Sequence, residues 1–130
     1  METPPNNNRF RILHIEDNSL DAELIESALQ VHLPCDITTV NTKASLEAAL
    51  EGAEPDLILS DSNLPSFDGL SALDLASLKS PGTPFVFCSG QISEEKKTEA
   101  LRRGAVDCIP KNDMAGLIAF VKKLCAKKQR

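Results

Sequence analysis

The sequence predicts an α/β protein with five short strands in one parallel sheet and helices on both of its faces. Two observations carry this. From Arg9 onward, short apolar runs alternate with longer segments whose apolar residues recur at helical spacing. Strands alternating with helices imply a parallel sheet. The runs Leu57–Leu59 and Phe85–Cys88 are apolar without a break, as strands buried on both faces are. Right-handed crossovers then make the sheet doubly wound.

Each element has its own signature. Residues 1–8 are polar and rich in Asn and Pro, and their composition predicts a disordered tail ahead of one domain over 9–130. Arg11–Ile15 is a short apolar run stopped by Glu16-Asp17, the first strand. Leu20, Leu24, Ile25, Ala28 and Leu29 fall on one helical face, with Asn18 or Ser19 as the cap. Asp36–Val40 is rich in β-branched residues and predicts the second strand. Leu46, Ala49 and Leu50 mark a short helix, ended by Gly52 and Pro55. Leu57–Ser60 is the third strand, and Asp68-Gly69 opens a helix carrying Leu70, Leu73 and Ala76. Pro81, Gly82 and Pro84 break the chain before the fourth strand, Phe85–Ser89. A helix from Ser93 to Arg103 stops at Gly104, and Val106–Ile109 is the fifth strand. Leu117, Ile118, Val121, Leu124 and Cys125 line the last helix.

Composition narrows the function classes. The 130 residues make one domain, large enough for a real core. The net charge of −5 and the absence of Trp and Tyr argue against a nucleic-acid-coating surface. No apolar run approaches the length of a membrane span, and the N-terminus lacks a signal core, so a cytoplasmic protein is expected. Cys35, Cys88, Cys108 and Cys125 form no Cys-x-x-Cys pair, and three of them sit in apolar runs. They read as buried free thiols. The basic run Lys122–Arg130 reads as a solvated helix end whose cations suit the macrodipole. His14, inside the first strand, reads as an interior histidine.

In a doubly wound sheet the site lies beyond the carboxyl ends of the strands. The first strand ends in Glu16-Asp17, the third in Asp61, the fourth in Ser89-Gly90, and the fifth is followed by Lys111. Taken singly, Asp17 is a helix cap, Asp61 a turn residue and Lys111 a solvated cation. Together they aim three carboxylates, a hydroxyl and an ammonium at one edge. Crowded carboxylates repel unless a proton or cation sits among them. Oxygen-only ligands suit a hard cation such as Mg²⁺, and Lys111 offsets part of the remaining charge.

These residues make the chain resemble a response-regulator receiver domain. Leu13–Asn18 is similar to that family's first strand and acidic pair. Asp56–Gly69 is similar to its phosphoacceptor segment, with Asp61 four residues before Pro65 and eight before Gly69. Phe85–Gly90 resembles the strand ending in the switch hydroxyl, and Gly104–Lys111 the segment leading to the site lysine. The match covers about Arg9 to Lys127. The resemblance implies a flavodoxin-like strand order 2-1-3-4-5. It implies phosphorylation of Asp61 by a histidine kinase or histidine phosphotransfer protein. Mg²⁺ would be held by Asp17, Asp61 and the backbone carbonyl of Asn63, with Glu16 acting directly or through water. Ser89 would hydrogen-bond the phosphoryl group, and Lys111 would pair first with Asp61 and then with phosphoryl oxygens. A homodimer is compatible with this family, and membrane and nucleic acid are not expected partners.

Three positions depart from the family's pattern. Cys108 stands where a Tyr or Phe ring usually couples to the switch hydroxyl. Asn112, not Pro, follows Lys111, so a trans bond is expected there, since a non-proline cis bond costs about 3 kcal/mol. Gly90 replaces the common Ala. Other functions fit less well. A haloacid-dehalogenase-type phosphatase needs an acid/base Asp where Asn63 stands. A flavin-binding module would place its phosphate loop after the first strand, where Glu16-Asp17-Asn18 would repel a phosphate. A receiver-like interaction module that works without phosphorylation remains the alternative.

Overall fold

The computed structural model describes residues 9–64 and 68–128. The expected tail at residues 1–8, and Pro65–Phe67 of the phosphoacceptor segment, lie outside the described residues. The elements run β1 (Phe10–Ile15), α1 (Ser19–His32), β2 (Cys35–Val40), α2 (Lys43–Glu51), β3 (Leu57–Ser60), α3 (Gly69–Lys79), β4 (Phe85–Ser89), α4 (Glu94–Arg102), β5 (Asp107–Pro110) and α5 (Met114–Lys128). The strands form one sheet in the order β2-β1-β3-β4-β5. All four pairings are parallel. The fold is therefore the doubly wound, flavodoxin-like α/β arrangement expected.

The differences from the expected bounds are small and physical. β1 and β2 each begin one residue earlier, because Phe10 and Cys35 pair in register. β5 begins at Asp107, since Val106 is exposed. β5 ends at Pro110, which is tolerated because β5 is an edge strand.

The helix ends follow their caps. Asn18 Oδ1 accepts the backbone N–H of Asp21, which starts α1. Thr42 and Ser45 cap α2 reciprocally. Asp68 and Ser93 cap α3 and α4. Gly104, at φ +115°, ends α4 in the left-handed region. The N–H groups of Gly104 and Ala105 reach back to the carbonyls of Leu101 and Ala100, a Schellman closure.

Alternation along β1 splits the core in two. Phe10 and Ile12 pack with Ile25, Leu29, Leu117 and Val121 under α1 and α5. Leu13 and Ile15 pack with Leu46, Leu73, Phe85 and Phe87 under α2 and α3. The four cysteines are buried and free. Burial pushes the Cys88 thiol up to about 11 and raises Cys35 and Cys108 as well. The basic end of α5 is not wholly solvated. Lys128 Nζ binds Asp56 Oδ2 at 2.8 Å and the Arg9 carbonyl at 2.9 Å, tying α5 to the edge of the sheet remote from the strand ends.

Candidate functional site

Parallel register brings the strand ends to one edge. Ile15 pairs with Ser60, Ser60 with Phe87, and Ser89 with Pro110. Glu16 after β1, Asp61 after β3 and Lys111 after β5 therefore meet Ser89, the last residue of β4, in a common pocket. The Asp61 N–H bonds to the Ile15 carbonyl at 2.9 Å and the Lys111 N–H to the Ser89 carbonyl at 2.9 Å, so both backbones are still held by the sheet.

Asp61, Ser89, Lys111 and Glu16 come together. Asp61 is nearly buried, its side chain 12% exposed. Its Oδ1 accepts from the Ser89 hydroxyl at 3.0 Å and from the Asn63 N–H at 3.3 Å. Its Oδ2 lies 3.3 Å from Lys111 Nζ. The same ammonium is nearer to Glu16 Oε1, at 2.8 Å, and to Asp21 Oδ2, at 2.7 Å. Burial opposes the charge on Lys111. The hydrogen bond to Asp21 and the close negative charges of Glu16 and Asp61 outweigh it, and the ammonium is held above its ordinary value. Glu16 is raised by burial, partly offset by Lys111 and by the Asn18 N–H, which bonds Oε2 at 3.1 Å.

Two expected site residues stand apart. Asp17 is exposed and makes no hydrogen bond or ion pair among the described residues. Asn63 is exposed and touches Asp61 through its N–H. Among the described residues, no three His, Cys, Asp or Glu side chains are gathered closely enough to hold a metal ion as they stand. The donor chemistry nonetheless fits a hard cation. Glu16 Oε1 is buried and makes no well-directed hydrogen bond, and both it and Asp61 Oδ2 lean on a positive group. A cation there would replace the ammonium as partner to the same oxygens.

Sequence reasoning missed two residues. Asp21, in the first turn of α1, reaches Lys111. Ser62, next to Asp61 and buried, shares a 2.7 Å hydrogen bond with Ser89. Gly69 is explained by the same crowding. A Cβ there would lie 2.7 Å from the Phe87 ring and 2.9 Å from Ser62 Cα. Beside the pocket, an open groove of about 740 Å³ runs past Ser89, Gln91, Lys97 and Cys108. The Lys111–Asn112 bond is trans, as expected.

A parallel five-stranded α/β domain with an acidic pocket, a hydroxyl and a lysine at its carboxyl edge is a receiver-type signalling module. The chain belongs to that family: the model of the response regulator receiver domain matches residues 12–122. The regulatory protein LuxO of Vibrio cholerae is 37% identical over 97 residues, covering 75% of this chain and 21% of that protein. A protein-glutamate methylesterase/protein-glutamine glutaminase of Archaeoglobus fulgidus is 36% identical over 109 residues, covering 82% of this chain and 31% of that protein. The chain thus spans about a fifth to a third of these curated relatives. Among solved structures, the phosphorylated cyanobacterial phytochrome response regulator RcpA superposes with a TM-score of 0.75 at 28% identity, over 89% of this chain and 91% of that one. A CheY-like receiver from Methanospirillum hungatei reaches 0.83 at 23% identity, over 93% of this chain and 97% of that one, a likeness of fold. Among the described residues no helix is long and apolar enough to cross a membrane.

Proposed function

We propose that this domain is the phosphoacceptor of a two-component phosphorelay. It takes a phosphoryl group onto Asp61 from the phosphohistidine of a histidine kinase or histidine phosphotransfer protein. The observation that carries this is the pair of donors on the Asp61 carboxylate, the Ser89 hydroxyl on Oδ1 and the Lys111 ammonium near Oδ2. In transfer, an Asp61 oxygen bonds phosphorus as the phosphorus–nitrogen bond breaks, and the imidazole leaves with the electron pair and gains a proton. Negative charge on the transferring oxygens calls for positioned donors rather than further covalent chemistry. Ser89 and Lys111 are those donors, and both turn from Asp61 to the phosphoryl oxygens once it is attached.

Glu16, Asp17, Asp61 and the carbonyl of Asn63 would hold Mg²⁺, which when bound would neutralise charge on the transferring group. Asn63 and Gln91, both exposed amides at the pocket's rim, flank the path of an attacking water. On α1, Leu20 and Leu24, expected on one apolar face with Ile25 and Leu29, are instead 70% and 64% exposed, one turn apart and on either side of Asp21 in the sequence. An apolar pair in that place suits a partner helix that must bring a histidine to Asp61. The cytoplasm is the compartment we assign, where four free thiols persist.

A small phosphodonor with Mg²⁺ should add one phosphoryl group by mass. Asp61→Asn and a chelated sample should stay unmodified. Native protein that takes up no phosphoryl group would favour the phosphorylation-independent module, and full labelling of Asp61→Asn would displace the acceptor from Asp61.

A further inference from the structure

Lys111 has one ammonium and three carboxylate neighbours, and the nearest is not the acceptor. Asp21 Oδ2 is at 2.7 Å, Glu16 Oε1 at 2.8 Å and Asp61 Oδ2 at 3.3 Å. Asp21 belongs to a different element from the other two and stands further out. Its side chain is 35% exposed, against 1% for Glu16 and 12% for Asp61. It is placed by the Asn18 cap, whose side chain holds the Asp21 N–H at 3.0 Å while the Asn18 N–H holds Glu16 Oε2. The turn from Glu16 to Asp21 is thus one hydrogen-bonded unit that presents two carboxylates to one ammonium.

A divalent cation and an ammonium compete for the same oxygens here. A cation that takes Glu16 and Asp61 repels Lys111 and removes its two inner partners. Without a third carboxylate, a partly buried ammonium would be left unpaired, which is costly. Asp21 lies on the solvent side of the pocket and offers the ammonium a partner that the cation does not need.

We propose that Asp21 is a positioning residue that holds the Lys111 ammonium on the α1 side of the pocket, so that a divalent cation can take the oxygens of Glu16 and Asp61. This rests on the phosphoacceptor reading above and deepens it. Asp21 touches neither acceptor nor phosphoryl group, and its effect runs through Lys111.

The test is a Mg²⁺ titration followed by backbone amide shifts, with no phosphodonor. Asp21→Asn should weaken Mg²⁺ binding about two- to fivefold, the scale of a partly exposed ion pair. Asp21→Glu should restore most of it. Thermal midpoints would show that each variant is folded. In a Lys111→Met background, Asp21→Asn should lose most of its effect, because its partner is gone. An equal effect in both backgrounds would make Asp21 a mere negative charge and overturn the proposal, as would unchanged affinity in Asp21→Asn. Native protein that binds no Mg²⁺ would overturn it too, together with the Mg²⁺ part of the functional reading. Native binding with an indifferent Asp21→Asn would sink the positioning role alone.

Discussion

Ser89 has one proton and three oxygen neighbours. They are Asp61 Oδ1 at 3.0 Å, the Gln91 carbonyl at 3.2 Å and Ser62 Oγ at 2.7 Å. A hydroxyl donates once. With its proton on Asp61, Ser89 accepts the proton of Ser62, and the two serines form a short chain ending on the acceptor carboxylate. Both are buried, at 2% and 3% exposure, so neither turns to water. Ser62→Ala should therefore cost about 1 kcal/mol. Ser62→Ala with Ser89→Ala should cost less than the sum of the singles, since the bond between the two serines is broken in each single and is lost only once in the pair. Urea unfolding midpoints of the four proteins would measure this, and strict additivity would mean that the two hydroxyls act independently. Neither Ser62 nor Asp21 was legible in the sequence. Asp21 is one of three acids on α1, with Glu23 and Glu26, and only the exact helix phase sends it toward Lys111. Ser62 depends on how the loop leaves β3. Glu16, Asp61, Ser89 and Lys111 were legible because they end strands, where the sheet alone decides direction.

The helices are anchored unequally. α1 buries Ala22, Ile25 and Leu29, and α5 buries Leu117, Val121 and Cys125. α4, with the sequence Glu-Glu-Lys-Lys-Thr-Glu-Ala-Leu-Arg, buries only Ala100. Its C-terminal end is stitched by Glu99 to Arg102 and Arg103, and Arg103 reaches Asp74 of α3, partly exposed pairs that add little. The groove between α4 and β5 is where a ring at position 108 would lie, and Cys108 leaves it open. Few buried apolar contacts mean low local stability. The amides of α4 should exchange with solvent faster than those of α1 and α5. Phosphorylation should then move amide shifts around Asp61, Ser89, Lys111 and the 90–95 loop while leaving β5 nearly still. Large shifts centred on Cys108 would show that the switch runs through β5 without a ring. The existence of α4 was legible from its Ser93 cap and its Gly104 stop. Its weak anchorage was not, since the same pattern of charges also fits a well-seated surface helix.

For the whole molecule, the alternation of β1 sets a second consequence. Even-numbered positions of β1 face α1 and α5, so His14 follows Phe10 and Ile12 inward and lies beneath the acidic pocket. It is 1% exposed, and its Nδ1 has no hydrogen-bond partner among the described residues. Burial first, then the charge of Lys111, lowers it from 6.5 to about 4, against the opposite pull of Asp61 and Asp21. The interior histidine is thus neutral at neutral pH and is made costly by acid. Between pH 6.5 and 4 the unfolded chain binds the His14 proton and the folded chain does not. Stability from this residue is full above pH 6.5 and falls as pH drops to 4, by about 3 kcal/mol in all. Glu16 runs the other way: its raised carboxyl contributes stability at low pH that fades as pH rises through its folded value. The two overlap, so the native pH profile alone does not isolate His14. His14→Leu removes one side and leaves the other. Native protein should lose about 3 kcal/mol more than His14→Leu between pH 7 and pH 4, read from urea midpoints at each pH. Parallel profiles for the two proteins would mean that His14 keeps an ordinary proton affinity in the fold, and that water or a partner reaches the imidazole which the packing of β1 against α1 and α5 otherwise excludes.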